Sequence, residues 1–213
     1  AKGVVAGAWA SSGQVCMAGS RLVVERSIAG ELVERVVGLT RPLKLGSGFE
    51  SSTDLGPLVS SEQLDRVTGY IATGKQEGAS VALGGEPVDS DGYFVAPTVF
   101  TNVDNSMTIA REEIFGPVLA VIPFDSEAEA LSIANDTEYG LTSGVWTSDM
   151  GKAQRAIGAI RTGLVWVNTY AELLSNMPYG GMKQSGFGRE LGEAALDMYT
   201  ETKSVVQRHQ PPA

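Results

Sequence analysis

The chain has very little cysteine and histidine, with only Cys16 and His209 among its 213 residues. A single cysteine cannot form a disulfide within the chain, which fits a reducing compartment such as the cytoplasm. His209 lies just before two prolines at the end of the chain, where we expect a frayed tail. An enzyme built on the Cys16 thiol would therefore use a carboxylate or water as its base. We expect no metal site.

Positive charge and long apolar runs are also scarce. Lys and Arg number 16 against 25 Asp and Glu, which gives a net charge of −9 and argues against a nucleic-acid partner. No run approaches the roughly 18 apolar residues of a membrane-spanning helix, and residues 1–10 lack the basic start of a signal peptide. We expect a soluble, acidic, cytoplasmic protein without nucleic-acid or membrane partners.

Strand and helix patterns alternate along the chain. Val118–Ile122 is a continuous apolar run typical of a strand buried on both faces, and Ser126 with Glu129 forms a capping box that opens a helix. This alternation predicts right-handed βαβ units and a mostly parallel sheet in one domain over residues 1–213, with the site at the carboxyl ends of the strands. The other predicted strands are 21–24, 81–83, 93–100, 142–146, 163–168 and 204–206, and the other helices 28–37, 61–77, 149–160 and 190–199.

Cys16 stands in a segment of small residues, Gly13-Gln14-Val15-Cys16-Met17-Ala18-Gly19. Free cysteines are most often buried hydrophobes, and a thiol with pKa near 8.5 is only about 3% thiolate at pH 7. The small neighbours, however, let the backbone approach a ligand, which suits a reacting carbonyl whose oxyanion is held by backbone N–H groups. The segment is compatible with a nucleophile and with a structural cysteine.

A second cluster, Arg111-Glu112-Glu113-Ile114-Phe115-Gly116-Pro117, precedes the predicted buried strand. Its two carboxylates are either a solvated charge pair or acceptors for a diol such as a ribose, beside the flat face of Phe115. Farther along, Trp166 and Tyr170 flank Asn168 and fit either an aromatic pocket or the core.

A third cluster, Pro178 to Glu190, is rich in glycine. Its glycines do not have the spacing of a phosphate-binding G-x-G-x-x-G loop. We therefore interpret the cluster as a structural loop that leads into a helix at Glu190.

Together these segments resemble the NAD(P)-dependent aldehyde dehydrogenase superfamily. Gly13-Gln14-Val15-Cys16 with Ser20-Arg21 is similar to its catalytic-cysteine signature, and Glu113-Ile114-Phe115-Gly116-Pro117 to its cofactor-side motif. The resemblance implies an α/β fold of three layers, a mostly parallel sheet with helices on both faces. The remaining matches, in order, are Asn135 to Leu141, Trp166-Val167-Asn168, and Pro178 to Glu190.

The resemblance also implies roles for particular residues. Cys16 would attack an aldehyde, Glu113 would bind the nicotinamide ribose with Phe115 packed beside it, and Gln63 would make a second ribose contact. Hydride would pass to NAD or NADP, and the thioester would be hydrolysed to a carboxylic acid. Mostly apolar positions would face an uncharged aldehyde: Val15, Met17, Tyr170, Leu173 and Tyr179.

The chain also departs from the family pattern, since members are usually about twice as long. It has no glycine-rich dinucleotide-binding domain, no oxyanion-hole Asn and no Glu-Leu-Gly-Gly-Lys stretch with its hydrolytic base. These departures imply a catalytic-domain fragment that is inactive alone, whose cofactor is bound mainly by the absent domain. Thr202–Val206 resembles the strand with which family members form homo-oligomers. The alternatives are a non-catalytic assembly module, a CoA-acylating dehydrogenase and a cysteine hydrolase.

Overall fold

The computed structural model describes residues 1–86, 88 and 90–210. In that part of the chain, no helix is both long and apolar enough to cross a membrane. The helices are α1 (Lys2–Trp9), α2 (Arg26–Thr40), α3 (Ser61–Gln76), α4 (Thr108–Arg111), α5 (Glu127–Asn135) and α6 (Met150–Ala159), with 3₁₀ turns at Ala10–Gly13 and Glu193–Met198. The strands are β1 (Arg21–Glu25), β2 (Ser80–Leu83), β3 (Thr98–Thr101), β4 (Val118–Phe124), β5 (Tyr139–Gly140), β6 (Thr142–Val145), β7 (Leu164–Val167) and β8 (Met182–Lys183).

A four-stranded mixed sheet forms the centre of the fold, in the order β1-β4-β3-β2. β1 and β3 both run parallel to β4, and β2 pairs antiparallel with β3 at one edge. Two further pairs lie outside this sheet: β6 with β7, which is parallel, and β5 with β8, which is antiparallel. The predicted α/β fold is confirmed.

Alternate residues of β4 face opposite sides of the sheet because successive strand side chains point in opposite directions. Each side is covered by helices, and each fully buried Val, Leu or Ile contributes about 1.5–3 kcal/mol to folding. One side packs on α3 and α4, and the other on α1 and α2. The first cluster includes Val118, Ala120, Ile122, Val67, Ile71 and Ile109, and the second includes Leu119, Val121, Trp9 and Val36.

Helix ends follow the local sequence signals closely. The Ser60 hydroxyl accepts a hydrogen bond from the Gln63 N–H at the start of α3. At the other end, Gly78 has a φ of 96°, and the N–H groups of Gly78 and Ala79 donate to the carbonyls of Lys75 and Gly74. This is a Schellman motif, in which Gly78 ends the helix.

Two predicted elements near the end of the chain are wrong. Residues 190–199 do not form an amphipathic α-helix, because Leu191 and Gly192 both have positive φ and only the 3₁₀ turn Glu193–Met198 follows. Residues 204–206 are exposed and form no strand. The predicted strand 93–100 is also shorter than expected, since pairing begins at Thr98, directly after Pro97.

Candidate functional site

The candidate site lies where the segments entering β1 and β4 meet. Because β1 and β4 are parallel neighbours, the segments before them lie at the same edge of the sheet. Gly13 has a φ of 73°, and a Cβ on it would overlap the carbonyl oxygen of Gly116. The cysteine segment therefore contacts the segment of Glu113 directly. This is the amino edge of the sheet, so the expected carboxyl-edge location is wrong for Cys16 and Glu113.

The cysteine loop is held by side chains that bond to distant backbone. Ser11 and Ser12 adopt left-handed φ angles of 49° and 56°, and the Ser12 hydroxyl donates to the Gly56 carbonyl at 2.8 Å. The Gln14 Oε1 accepts from the Val59 N–H at 2.9 Å. Held in this way, Cys16 is exposed to solvent.

Backbone N–H groups around the thiol are open. The turn is closed by the Ala18 N–H, which donates to the Val15 carbonyl at 2.9 Å. Among the described residues, the N–H groups of Val15, Cys16 and Met17 have no hydrogen-bond acceptor. N–H groups without an acceptor, placed beside a thiol, are suited to bind an oxyanion.

The Tyr179 side chain contacts the Cys16 sulfur. Its hydroxyl lies 3.4 Å from the Cys16 Sγ, within hydrogen-bond distance for a sulfur atom. Burial, with the hydrogen bond to Cys16 as a further cause, raises the pKa of Tyr179. His209, in contrast, is exposed and makes no hydrogen bond in the described part of the chain, while Pro211 and Pro212 lie outside the described residues.

Tyr170 supports the other side of the cysteine loop. Its hydroxyl donates to the Met17 carbonyl at 2.8 Å, and its ring lies 4.7 Å from the ring of Trp166. Gly7 and Gly144 allow this ring to approach, because a Cβ on either would fall within 3 Å of it. Burial raises the pKa of Tyr170. The ring is therefore largely a packing element that fixes Met17.

A cavity of about 210 Å³ opens beside Tyr179. Leu173 and Tyr179 both line it, and Trp166 contributes its buried ring while its Nε1 donates to the Glu172 carbonyl at 2.8 Å. Tyr179 lines this cavity and also lies within hydrogen-bond distance of the Cys16 sulfur. Val15 and Met17 are half-buried in the cysteine loop itself.

The two adjacent carboxylates of the second cluster have different surroundings. The Tyr70 hydroxyl donates to the Glu112 carboxylate at 2.7 Å. Glu113 is exposed, and its carboxylate has no hydrogen-bond or ion-pair partner among the described residues. Its backbone carbonyl accepts from the Arg66 guanidinium at 2.7 Å. Glu113 is thus the carboxylate available to a ligand.

Phe115 and Gln63 are brought together by the structure. The Gln63 amide donates to the carbonyls of Ile114 and Phe115 at 3.1 and 2.8 Å. Phe115 has a φ of 58°, a left-handed conformation that is strained for an aromatic residue, and its side chain is 38% exposed. Gln63 therefore stabilises the backbone that presents the Phe115 ring.

Arg66 and Tyr70 were not among the predicted site residues, although their side chains donate hydrogen bonds to Glu113 and Glu112. With Gln63 they recur at spacings of three and four residues, which places all three on one face of α3. That spacing in the sequence predicts that the three side chains share one face of a helix. The segment they bind, however, lies over forty residues farther along the chain.

The glycine-rich third cluster forms a loop, but it does not lead into the α-helix predicted at Glu190. Tyr179 and Glu190 exchange two backbone hydrogen bonds of 2.7 Å, and the Arg189 guanidinium donates to the carbonyls of Gly181 and Gly188. The loop is closed on itself and fixes Tyr179 at its base. In the described residues, no group of three or more His, Cys, Asp or Glu side chains could hold a metal ion.

The chain is similar to a family of known proteins and to several of their solved structures. A model described as the aldehyde dehydrogenase family matches residues 1–205. Betaine aldehyde dehydrogenase of Brucella anthropi is 46% identical over 208 residues, 95% of this chain and 42% of that protein. An NAD⁺ complex of aldehyde dehydrogenase from Bacillus cereus shares 49% identity with a TM-score of 0.93 over 96% of this chain and 42% of that one. Betaine aldehyde dehydrogenase from Staphylococcus aureus with NAD⁺ shares 42% identity with a TM-score of 0.90 over 93% and 40%. The chain thus spans about two fifths of the length of these relatives.

Proposed function

Because the chain belongs to the aldehyde dehydrogenase family, we propose that it forms the catalytic side of an enzyme that oxidises an aldehyde to a carboxylic acid with NAD⁺ or NADP⁺. The observation that carries this proposal is the exposed Cys16 in a loop that contacts the segment of Glu113. A nucleophile and a cofactor-binding carboxylate are then on adjoining segments of one sheet edge. The chemistry follows from the groups at that edge.

The first step belongs to Cys16. Its thiolate attacks the carbonyl carbon, a C–S bond forms, and the carbonyl oxygen takes the negative charge of a thiohemiacetal. The N–H of Cys16, which has no acceptor among the described residues, donates to that oxygen. After oxidation the acyl group is released from the sulfur, to water in a hydrolytic enzyme or to coenzyme A in a CoA-acylating one.

The residues around Glu113 fit a nicotinamide cofactor. Glu113 has an exposed carboxylate without a partner, suited to the two hydroxyls of a ribose, and Phe115 has a partly exposed ring for packing beside it. Gln63 holds this segment and is a second contact for the ribose. When bound, NAD or NADP supplies the ring that accepts the hydride.

The substrate side is mostly apolar. Tyr179 and Leu173 line the cavity, Val15 and Met17 flank Cys16 in the cysteine loop, and the Tyr170 hydroxyl donates to the Met17 carbonyl. These side chains suit an uncharged aldehyde better than one that carries a second carboxylate.

We further propose that residues 1–213 act as one catalytic domain that does not turn over aldehyde alone. The 213 residues contain no Glu-Leu-Gly-Gly-Lys stretch to supply the hydrolytic base and no glycine-rich dinucleotide loop. A free, exposed nucleophilic thiol suits a reducing compartment, so we place the protein in the cytoplasm. Its partner is a second copy of the chain, in a homo-oligomer.

A non-catalytic assembly module is the second candidate. It is favoured by apolar side chains near the chain's end that are more than half exposed, and these would be covered in an assembly. They are Leu196, Tyr199, Val205 and Val206.

Protection of the thiol tests the catalytic proposal. We expect an uncharged aldehyde such as hexanal to slow iodoacetamide labelling of Cys16 in the purified chain, followed by mass spectrometry. A semialdehyde carrying a carboxylate should protect less, and labelling of free glutathione under the same conditions is the control for direct scavenging. Equal labelling with and without hexanal contradicts Cys16 as the nucleophile. Production of NADH by this chain, measured by absorbance, would contradict only the claim that it is inactive alone.

A further inference from the structure

The contact between Cys16 and Tyr179 joins two distant parts of the chain. Tyr179 is fixed by its two backbone hydrogen bonds with Glu190, while the cysteine loop is fixed by Gln14 and Ser12. The 3.4 Å separation of hydroxyl and sulfur therefore results from two independently anchored segments. An apolar ring would line the cavity equally well, so lining alone does not explain a hydroxyl at this position.

The protonation of Tyr179 decides the direction of the hydrogen bond. Burial and the neighbouring thiol raise the pKa of Tyr179, so its hydroxyl keeps its proton at neutral and moderately alkaline pH. Toward a thiol, this hydroxyl can either donate or accept. Toward a thiolate it can only donate, and a donor to an ionised group forms a stronger bond than a donor to a neutral one.

We propose that Tyr179 is a positioning residue whose hydroxyl donates to the Cys16 thiolate and thereby favours the reactive form of the sulfur. The thiol proton leaves to solvent, and Tyr179 itself neither gains nor loses a proton. When the sulfur bonds to a carbonyl carbon, its negative charge moves to the oxygen and the hydrogen bond weakens. The inference rests on the proposed role of Cys16 as the nucleophile.

The pH dependence of alkylation tests this hydrogen bond. The rate of iodoacetamide labelling of Cys16 is measured from about pH 6 to about pH 10 in the native chain and in Tyr179→Phe, since only the thiolate reacts. Loss of a hydrogen bond to a charged group should move the midpoint of the curve of labelling rate against pH upward by about one pH unit. At pH values below the midpoints of both proteins, labelling of Tyr179→Phe is then about tenfold slower than labelling of the native chain. Tyr199→Phe removes an exposed hydroxyl elsewhere and should leave the profile unchanged.

Two outcomes would overturn the proposal. One is a profile for Tyr179→Phe that coincides with that of the native chain. The other is a rate changed by the same factor at every pH, which indicates altered access to the thiol and no effect on its ionisation. If Tyr179→Phe does not fold, the same rates are measured for Tyr179→Leu, which also lacks the hydroxyl. The proposal then requires that the midpoint of Tyr179→Leu lies at a higher pH than that of the native chain.

The result separates this inference from the proposed function. Protection of Cys16 by hexanal together with an unchanged midpoint in Tyr179→Phe would reject the role of Tyr179 and leave the nucleophile in place. A shifted midpoint without protection by hexanal would reject the attack of Cys16 on an aldehyde. The hydrogen bond from Tyr179 would then affect the ionisation of the thiol but have no role in catalysis.

Discussion

At the scale of single residues, the cysteine loop depends on backbone conformations that few residues adopt. Ser11, Ser12 and Gly13 have consecutive positive φ angles, and the last allows the loop to touch Gly116. Non-glycine residues in such conformations cost on the order of 1–3 kcal/mol each, which the surrounding structure must offset. The Ser12 hydroxyl bond to Gly56 and the Gln14 bond to Val59 help to offset that cost.

Gly13→Ala should therefore destabilise the chain. The new Cβ would overlap the Gly116 carbonyl in a left-handed conformation, so we expect a loss of more than about 1 kcal/mol, measured by urea unfolding. The matched control is Gly30→Ala in α2, where nothing lies within 4 Å of the new Cβ. That variant should gain about 0.5–1 kcal/mol from helix propensity. A Gly13→Ala variant as stable as Gly30→Ala would contradict the contact.

A buried hydrogen bond between the last residues of α1 and α2 gives a second test. The Trp9 Nε1 donates to the Thr40 hydroxyl at 2.9 Å, and both residues are only 3% exposed. Thr40→Val keeps the shape but leaves the indole N–H without its acceptor, which should cost about 1–3 kcal/mol of unfolding free energy. Thr40→Ser retains the acceptor and should cost less. If both variants lose the same stability, the hydrogen bond contributes nothing beyond packing.

At this scale, residues with informative neighbours in the sequence could be predicted, whereas contacts between distant parts of the chain could not. Cys16 could be singled out because its neighbours are small and it is the only cysteine. Its contact with Tyr179 could not, because the two are 163 residues apart and meet only through the folded chain. Arg66 and Tyr70 were missed for the same reason, although their helical spacing with Gln63 was readable.

At the scale of elements, most helices and strands could be predicted because their signals lie close together in the sequence. α3 was predicted to within one residue at its end, and β4 begins where predicted but ends two residues later, at Phe124. Both predictions rest on local features, which are apolar residues at helical spacing and a continuous apolar run. The predicted helix 190–199 failed because apolar spacing alone does not form a helix. Leu191 and Gly192 are left-handed, and Leu196 and Met198 remain exposed, so no packing compensates.

The start of α6 provides a test by pH. The Asp149 carboxylate accepts from the N–H groups of Gly151 and Lys152, and these backbone hydrogen bonds hold the pKa of Asp149 below its ordinary value. A depressed pKa means stability that is present above the unfolded pKa, about 3.9, and is lost as pH falls through the folded value. Asp149→Asn, which caps without titrating, should therefore melt below the native chain at about pH 6 and approach it at about pH 3.

Thermal unfolding at the two pH values measures this difference, with Asp197→Asn as the control. Asp197 lies in the 3₁₀ turn Glu193–Met198 and caps no α-helix. A melting difference between the native chain and Asp149→Asn that grows as the solution is acidified would contradict the assigned sign.

At the scale of the whole molecule, the order of the strands in the sheet could not be predicted from the alternation of strand and helix patterns. The alternation of elements predicted a mostly parallel sheet, yet several strand orders satisfy the same alternation. The observed order places β1 beside β4, and this pairing brings the cysteine segment to Glu113. Cys16 and Glu113 consequently lie at the edge opposite to the expected one, because the general rule for parallel sheets concerns the loops after strands and these two segments precede strands.

The last prediction concerns assembly. Residues 202–206 are exposed and, among the described residues, make no backbone hydrogen bond within the chain, while Val205 and Val206 are 74% and 99% exposed. Strand-forming residues with unpaired backbone groups favour pairing with another chain. We expect light scattering to give a mass of at least two chains of 22.4 kDa each, and Val206→Asp to shift the protein toward monomer. Phe49→Asp, a charge placed at an equally exposed apolar side chain in another loop, should leave the mass unchanged. A native chain that stays monomeric at every concentration would contradict the homo-oligomer, whereas equal dissociation by both variants would indicate net charge and not this segment.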